Sequence, residues 1–249
     1  MGTPAAGSRA LAEAARAGPY FTVHPVSGQP WSGGAGWRPF AALLTDPAVL
    51  PERVAHTRSV LARNAGCAAG DVEPRVAASV TFLGLAAQLV SPLLGAAVLA
   101  GVVPRLTVAG LFWRPVPGGR WPRAARPVDG APVGELAGRI NGLTEPLAGA
   151  FRIAFQLSGH VLRGNVASAV AGASATLAAA VPARAGLASE LAAGVLAREP
   201  LRGTGEFGPG PRFRRRSCCL LYRVPRAGMC GDCILTGRTP GQPVRRREP

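Results

Sequence analysis

The sequence predicts a mainly α protein, α+β in detail. It is a helical globular domain with one short strand or hairpin and a cysteine-bearing segment near the C-terminus. Three observations carry this. Two stretches without charge, 76–104 and 164–183, are long enough for helices. Leu136, Ile140, Leu143, Leu147, Phe151 and Phe155 recur at spacings of 4, 3, 4, 4 and 4, which is one face of a helix. The change to β-prone sequence punctuated by Pro and Gly falls at 106–128.

Residues 1–18 are expected to form a loose segment or short helix, flexible relative to the rest. Residues 21–37, "FTVHPVSGQPWSGGAGW", predict loop or short extended pieces. Helical signals begin near Arg38. Asp46 before Pro47 and Pro51 before Glu52 both fit helix starts, Val54 and Leu61 would share a face, and Gly66 fits a stop. The uncharged run 76–104 has the length of a bilayer span, but Gln88, Ser91 and Pro92 interrupt it. Two consecutive buried helices breaking near Ser91–Pro92 are the expectation. A hairpin would turn at Pro117–Gly119. Pro146 implies either a kinked helix or two helices, the second capped by Thr144. The helical domain, 19–200, closes before Pro200. A segment at 201–237 follows, and a basic flexible tail at 238–249.

The chain has 249 residues, a formal charge of +15, and 28 basic residues, every one of them arginine. The charge favours anionic partners without choosing among them. The arginine count itself follows the general Arg, Ala, Gly and Pro bias of the chain. The start of the sequence lacks the basic-then-apolar pattern of a secretory signal, so a cytoplasmic location with reduced thiols is expected. Cys67, far from the other cysteines, is expected to be a plain small residue.

Several candidate motifs fail on context. Gly203, Gly205 and Gly208 in "GTGEFGPG" have dinucleotide-fingerprint spacing but follow a helix and precede Pro209 and Pro211, so they predict a loop. His24, His56 and His160 show no metal-ligand spacing. Trp31, Trp37, Trp113 and Trp121 do not interleave with basic residues as a nucleic-acid platform would, and no nucleic-acid partner is expected.

The stretch "RFRRRSCCLLYRVPRAGMCGDCIL", residues 212–235, differs. It holds four of the five cysteines, as C-C-x10-C-x2-C, and six arginines. Four thiolates suit a tetrahedral zinc or the two irons of a 2Fe–2S cluster. Only Cys230–Cys233 has the spacing of a zinc knuckle. Adjacent Cys218 and Cys219 would point to opposite sides of an extended chain, so both can ligate only if the backbone kinks or the cofactor exceeds one ion. Ligand type, spacing and compartment favour iron–sulfur over zinc, and zinc over disulfides. Arg214, Arg215, Arg216, Arg223 and Arg226 would offset the negative charge of such a cluster, raise its potential and recruit anionic partners.

This stretch resembles the C-terminal signature of the FhuF-like ferric-siderophore reductases, and its spacing matches that signature without a gap. "VAASVTFLGLAAQLVSPLLGAAVLAGVVP" (76–104), "FWRP" (112–115) and "GNVASAVAGA" (164–173) are also similar to the family. Arg163 stands where members often carry Trp. Gln88 and Val90 stand where they often carry Arg and Trp. The resemblance implies a 2Fe–2S cluster on Cys218, Cys219, Cys230 and Cys233 and one-electron reduction of siderophore-bound ferric iron. It implies an external electron donor of ferredoxin or flavin-reductase type. It also allows peripheral contact with a siderophore importer at the inner face of the membrane. A zinc-stabilised basic binding module and an iron–sulfur carrier without siderophore activity are the alternatives.

Overall fold

The computed structural model describes residues 5–26, 36–116, 121–208 and 212–235. Among them the architecture is mainly α, with short two- and three-residue strands. The helices are α1 (Ala6–Ala14), α2 (Ala42–Thr45), α3 (Val49–Ala65), α4 (Pro74–Ala100), α5 (Leu136–Phe155), α6 (Gly159–Ala180) and α7 (Ala185–Leu196).

Helix α4 is the axis of the fold. Its sequence is apolar on every side, which suits a helix surrounded by others. It packs against α1, α3, α5, α6 and α7. It is also long and apolar enough to cross a membrane, yet 78% of its most apolar window is buried inside the protein. The expected break at Ser91–Pro92 does not occur, and the helix runs through Pro92. Proline there has no N–H to give the Gln88 carbonyl one turn earlier. Arg123 supplies the missing donor, because its Nη1 hydrogen-bonds the Gln88 carbonyl. Its Nη2 donates to the carbonyls of Tyr20 and Thr22, each at 2.9 Å. One buried guanidinium thus mends the helix and ties the N-terminal segment to it.

Arg123 belongs to the predicted β element. Strands β4 (Leu111–Trp113) and β5 (Arg123–Ala125) pair antiparallel, with Phe112 opposite Ala124. The expected turn at 117–119 lies outside the described residues. β1 (His24–Pro25) joins β5 in parallel and β2 (Arg38–Pro39) joins β4 antiparallel, giving the order β1-β5-β4-β2. β3 (Val103–Pro104) and β6 (Gly130–Ala131) form a separate pair. Trp113 and Trp121 stack with centroids 4.0 Å apart, and Arg53 lies 3.9 Å over Trp121. These tryptophans are packing residues, as expected. Burial lowers the Arg53 pKa to about 10. Trp31 lies outside the described residues.

Other expectations meet the structure unevenly. The N-terminal segment is not loose where it is described: Ala10, Leu11 and Ala14 of α1 are buried in the main core against α4. Small side chains allow that close approach, and Ala-rich composition had concealed it. Asp46 accepts from the backbone N–H of Ala48 at 2.9 Å, just before α3 begins at Val49. α3 ends at Gly66 in the left-handed region, as the glycine predicted. α5 is one helix through Pro146, and Thr144 is not a cap: its hydroxyl donates to the Ile140 carbonyl. Leu136, Ile140, Leu143, Leu147 and Phe151 are all buried, on the face their spacing predicts.

The Arg123–Pro92 relation is testable by urea unfolding. Arg123→Leu leaves the buried Gln88 carbonyl without a donor and should cost on the order of 3 kcal/mol. Adding Pro92→Ala returns a backbone donor and should recover part of that loss. A cost below about 1 kcal/mol for Arg123→Leu would contradict the account.

Candidate metal centre

The C-terminal segment starts as an antiparallel pair, β7 (Gly205–Phe207) with β8 (Phe213–Arg215). Of the three glycines expected in a loop, Gly205 opens β7, whereas Gly203 lies in a turn and Gly208 follows the strand. Among the described residues the next element after β7 is the strand β8, not the helix that a dinucleotide fingerprint needs. Along β8 the side chains alternate: Phe213 is buried, Arg214 exposed and Arg215 buried. Phe213 packs on Ala167 and Ala171 of α6. Four residues after Phe213, Ser217 meets the same helix at Gly164. A β-carbon on Gly164 would overlap the Ser217 hydroxyl and stand 3.2 Å from its Cβ. Glycine is what lets the segment seat itself there.

Alternation also aims Arg215 inward, and it is only 1% exposed. Each of its three nitrogens meets a different partner. Nη1 donates to Asn165 Oδ1 at 2.7 Å, and Nη2 donates to Cys230 Sγ at 2.8 Å. Nε lies 2.9 Å from Asp232 Oδ2, an ion pair set off the hydrogen-bonding angle. The Arg215 backbone N–H reaches the Asp232 carbonyl at 3.1 Å. Burial alone would lower this guanidinium's pKa. The charges of Asp232, Cys219 and Cys230 outweigh it, and the pKa is raised.

The adjacent cysteines part as the chain turns. Cys218 is half-buried and Cys219 buried. Leu220 adopts a left-handed conformation, φ 69°, unusual for a non-glycine residue. Its backbone N–H turns back to Cys218 Sγ at 3.3 Å. A short 3₁₀ turn, Leu221–Arg223, then follows, and Val224 anchors it in the main core. Cys219 is directed to the other half of the motif, with its Sγ 3.4 Å from Cys230 Sγ. Cys218 lies in the electrostatic range of both Cys219 and Cys233. The two halves are thus interleaved rather than separate. Cys233 closes the second turn through its N–H to the Cys230 carbonyl, and the Leu235 N–H approaches its sulfur at 3.4 Å.

The thiols are electrostatically unequal. The hydrogen bond with Cys230 lowers the Cys219 pKa to about 5 against the opposing effect of burial, with Arg215 assisting. The same bond, and then burial, push the Cys230 thiol up. Burial pushes Cys218 up as well. Among the described residues no three His, Cys, Asp or Glu side chains are gathered closely enough to hold a metal ion. The donor set is nonetheless soft thiol throughout, shared between two backbone turns and faced by a fixed cation. That chemistry fits a thiolate-bound cluster.

The arginines have separate places. Arg215 stands on sulfur. Arg214 is exposed and donates to the Ile234 carbonyl at 2.8 Å. Arg216 pairs with Glu206 at 3.0 Å and Arg223 with Glu73 at 2.9 Å, both at the surface. Arg226 is exposed and left-handed, φ 60°. The expectation that five arginines act alike therefore narrows. Arg216 and Arg223 are engaged with carboxylates, because their side chains leave the segment on its solvent side. Cys67 is half-buried against the core and free. His160 Nε2 contacts the Arg216 carbonyl at 3.1 Å, so it helps seat the segment on α6.

Sequence reasoning missed Gly164, Asn165, Ser217 and Asp232 as parts of this centre. The available signals were a lone Asn within the Ala-rich α6 and an acid inside the C-x2-C turn.

Residues 215–233, which include all four clustered cysteines, match the family model described as the FhuF 2Fe-2S C-terminal domain. This is the family the sequence resembles, and the cofactor of the segment is a 2Fe–2S cluster. No curated protein matches the chain.

Gly164→Ala should unseat the 215–217 segment from α6. Iron incorporation should fall several-fold while far-ultraviolet helicity stays. Ser217→Gly in the same protein should restore it. Full iron content in Gly164→Ala alone would contradict this packing.

Proposed function

We propose that the protein is a ferric-siderophore reductase whose 2Fe–2S cluster is held by Cys218, Cys219, Cys230 and Cys233. The observation that carries the reading is the Arg215 guanidinium, 2.8 Å from Cys230 Sγ inside a segment that matches a 2Fe–2S domain. When bound, the cluster supplies one electron at a time.

The chain's own residues do the rest. Cys219 and Cys233 are buried, whereas Cys218 and Cys230 are half-buried beside the exposed stretch 226–229. Electron exchange is directed to that side. Arg212, Arg214 and Arg226 are exposed in the same segment and offer positive charge to an anionic ferric complex. Hydroxamate and catecholate oxygens are hard ligands that hold ferric iron far more tightly than ferrous. One electron passed to the iron reduces it, oxidises the protein by one equivalent and loosens the complex. No proton must move on the protein. The described residues include no nucleotide-binding loop, which supports re-reduction by an external donor of ferredoxin or flavin-reductase type. With a charge of +15, location in the cytoplasm with peripheral contact near a siderophore importer fits this reading.

Single-turnover mixing tests it. Reduced protein mixed anaerobically with ferric hydroxamate or catecholate siderophores should be reoxidised, with one ferrous iron trapped per cluster. Persistence of the reduced form with every siderophore, alongside fast oxidation by a protein acceptor, would identify an electron carrier instead.

The ligand set is tested by serine substitution. Cys218→Ser, Cys219→Ser, Cys230→Ser and Cys233→Ser should each cut cluster content at least severalfold. Cys67→Ser should leave it unchanged. Retained content in Cys219→Ser would remove the adjacent pair from the ligand set.

A further inference from the structure

Asn165 is fully buried in the second turn of α6, whose other buried residues are small or apolar. A buried amide without partners is costly, so its contacts should explain its presence. Its Nδ2 donates to both the carbonyl and the hydroxyl of Ser79 on α4, each at 3.1 Å. Those two acceptors fix which end of the amide is which. Its Oδ1 is left facing the segment, where it accepts from Arg215 Nη1 at 2.7 Å. Arg215 Nη2 in turn points at Cys230 Sγ. A polar chain therefore runs from the central helix to the sulfur: Ser79, Asn165, Arg215, Cys230.

We infer that Asn165 is a positioning residue for electron transfer: it holds Arg215 against the cluster sulfurs and thereby raises the reduction potential. The inference rests on the reading of Cys219 and Cys230 as cluster ligands. Accepting one electron adds one negative charge to the thiolate-bound group, and hydrogen bonds and positive charge at sulfur favour that form. Arg215 is a mobile side chain by nature, and Asp232 draws it through Nε. Asp232 alone does not fix where Nη2 points. Asn165, anchored on Ser79, supplies the second fixed point, and two fixed nitrogens of a planar fork determine the third. The path also makes the potential depend on how α4 and α6 pack, which is a property of the helical domain rather than of the cysteine segment.

The test is spectropotentiometry of the holoprotein with electron paramagnetic resonance of the reduced form. The variants are Asn165→Leu, Arg215→Gln, their double and Ser79→Ala. Arg215→Gln and Asn165→Leu should retain the cluster, shift the resonance in the same way and lower the potential. The expected size is about tenfold in the reduction equilibrium, ~59 mV for one electron. The double variant should match Arg215→Gln alone, because Asn165 acts through Arg215. Ser79→Ala should shift in the same direction by less. An unmoved potential in Asn165→Leu with the cluster present, or fully additive shifts in the double, overturns this inference alone. If Asn165→Leu does not fold, Ser79→Ala decides, and an unchanged potential overturns it. Wild-type protein without a cluster would instead overturn the ligand reading, and this one with it.

Discussion

The buried guanidinium of Arg215 is the interaction on which the arrangement depends. Removing a charge from water costs several kcal/mol unless each polar atom is met. Here Nη1 and Nη2 are hydrogen-bonded, to Asn165 and Cys230, and Nε is offset by the Asp232 carboxylate 2.9 Å away. Those partners come from the helical domain, from the C-x2-C turn and from the sulfur itself. The same cation therefore docks the segment, closes the second turn and stands against the Cys230 sulfur. Its raised pKa keeps it charged at any ordinary pH.

Arg123 does a similar task further along α4, where the Gln88 carbonyl lacks a donor because Pro92 has none. In both places a planar fork with several donors serves partners in different directions. A lysine ammonium is a compact point charge and cannot span them in the same way. The absence of lysine is a compositional bias of the chain, but at these two sites guanidinium geometry is also a structural requirement. The surface arginines that pair with Glu206 and Glu73 carry no such requirement. Exposed pairs of that kind contribute little to stability.

Much of this was legible in the sequence where the physical rule is local. The spacing of Leu136 through Phe151 marked a buried face, Gly66 marked a helix end, and the cysteine spacing picked out the segment that matches a 2Fe–2S domain. What was not legible depends on contacts distant in sequence. Pro92 predicts a break unless a donor arrives from elsewhere, and that donor is 31 residues away in the chain. Gly164 and Asn165 open a stretch that resembles the family, but what they do shows only when Ser217 and Arg215 are laid against them. The arginine run gave no sign that alternation along β8 would bury only its middle member. The short helix at the N-terminus was one of the two expectations, but its burial against α4 was hidden, because alanine gives a weak apolar signal yet packs closely.

This basic, cysteine-bearing segment, seated on a helical body, matches a 2Fe–2S domain. Metal and acid-labile sulfide analysis of anaerobically purified protein, with its visible absorption spectrum, tests the two-iron reading most directly. The account predicts two irons and two sulfides per chain, with sulfur-to-iron charge-transfer bands that bleach on one-electron reduction. One zinc per chain, no sulfide and no visible bands would contradict it.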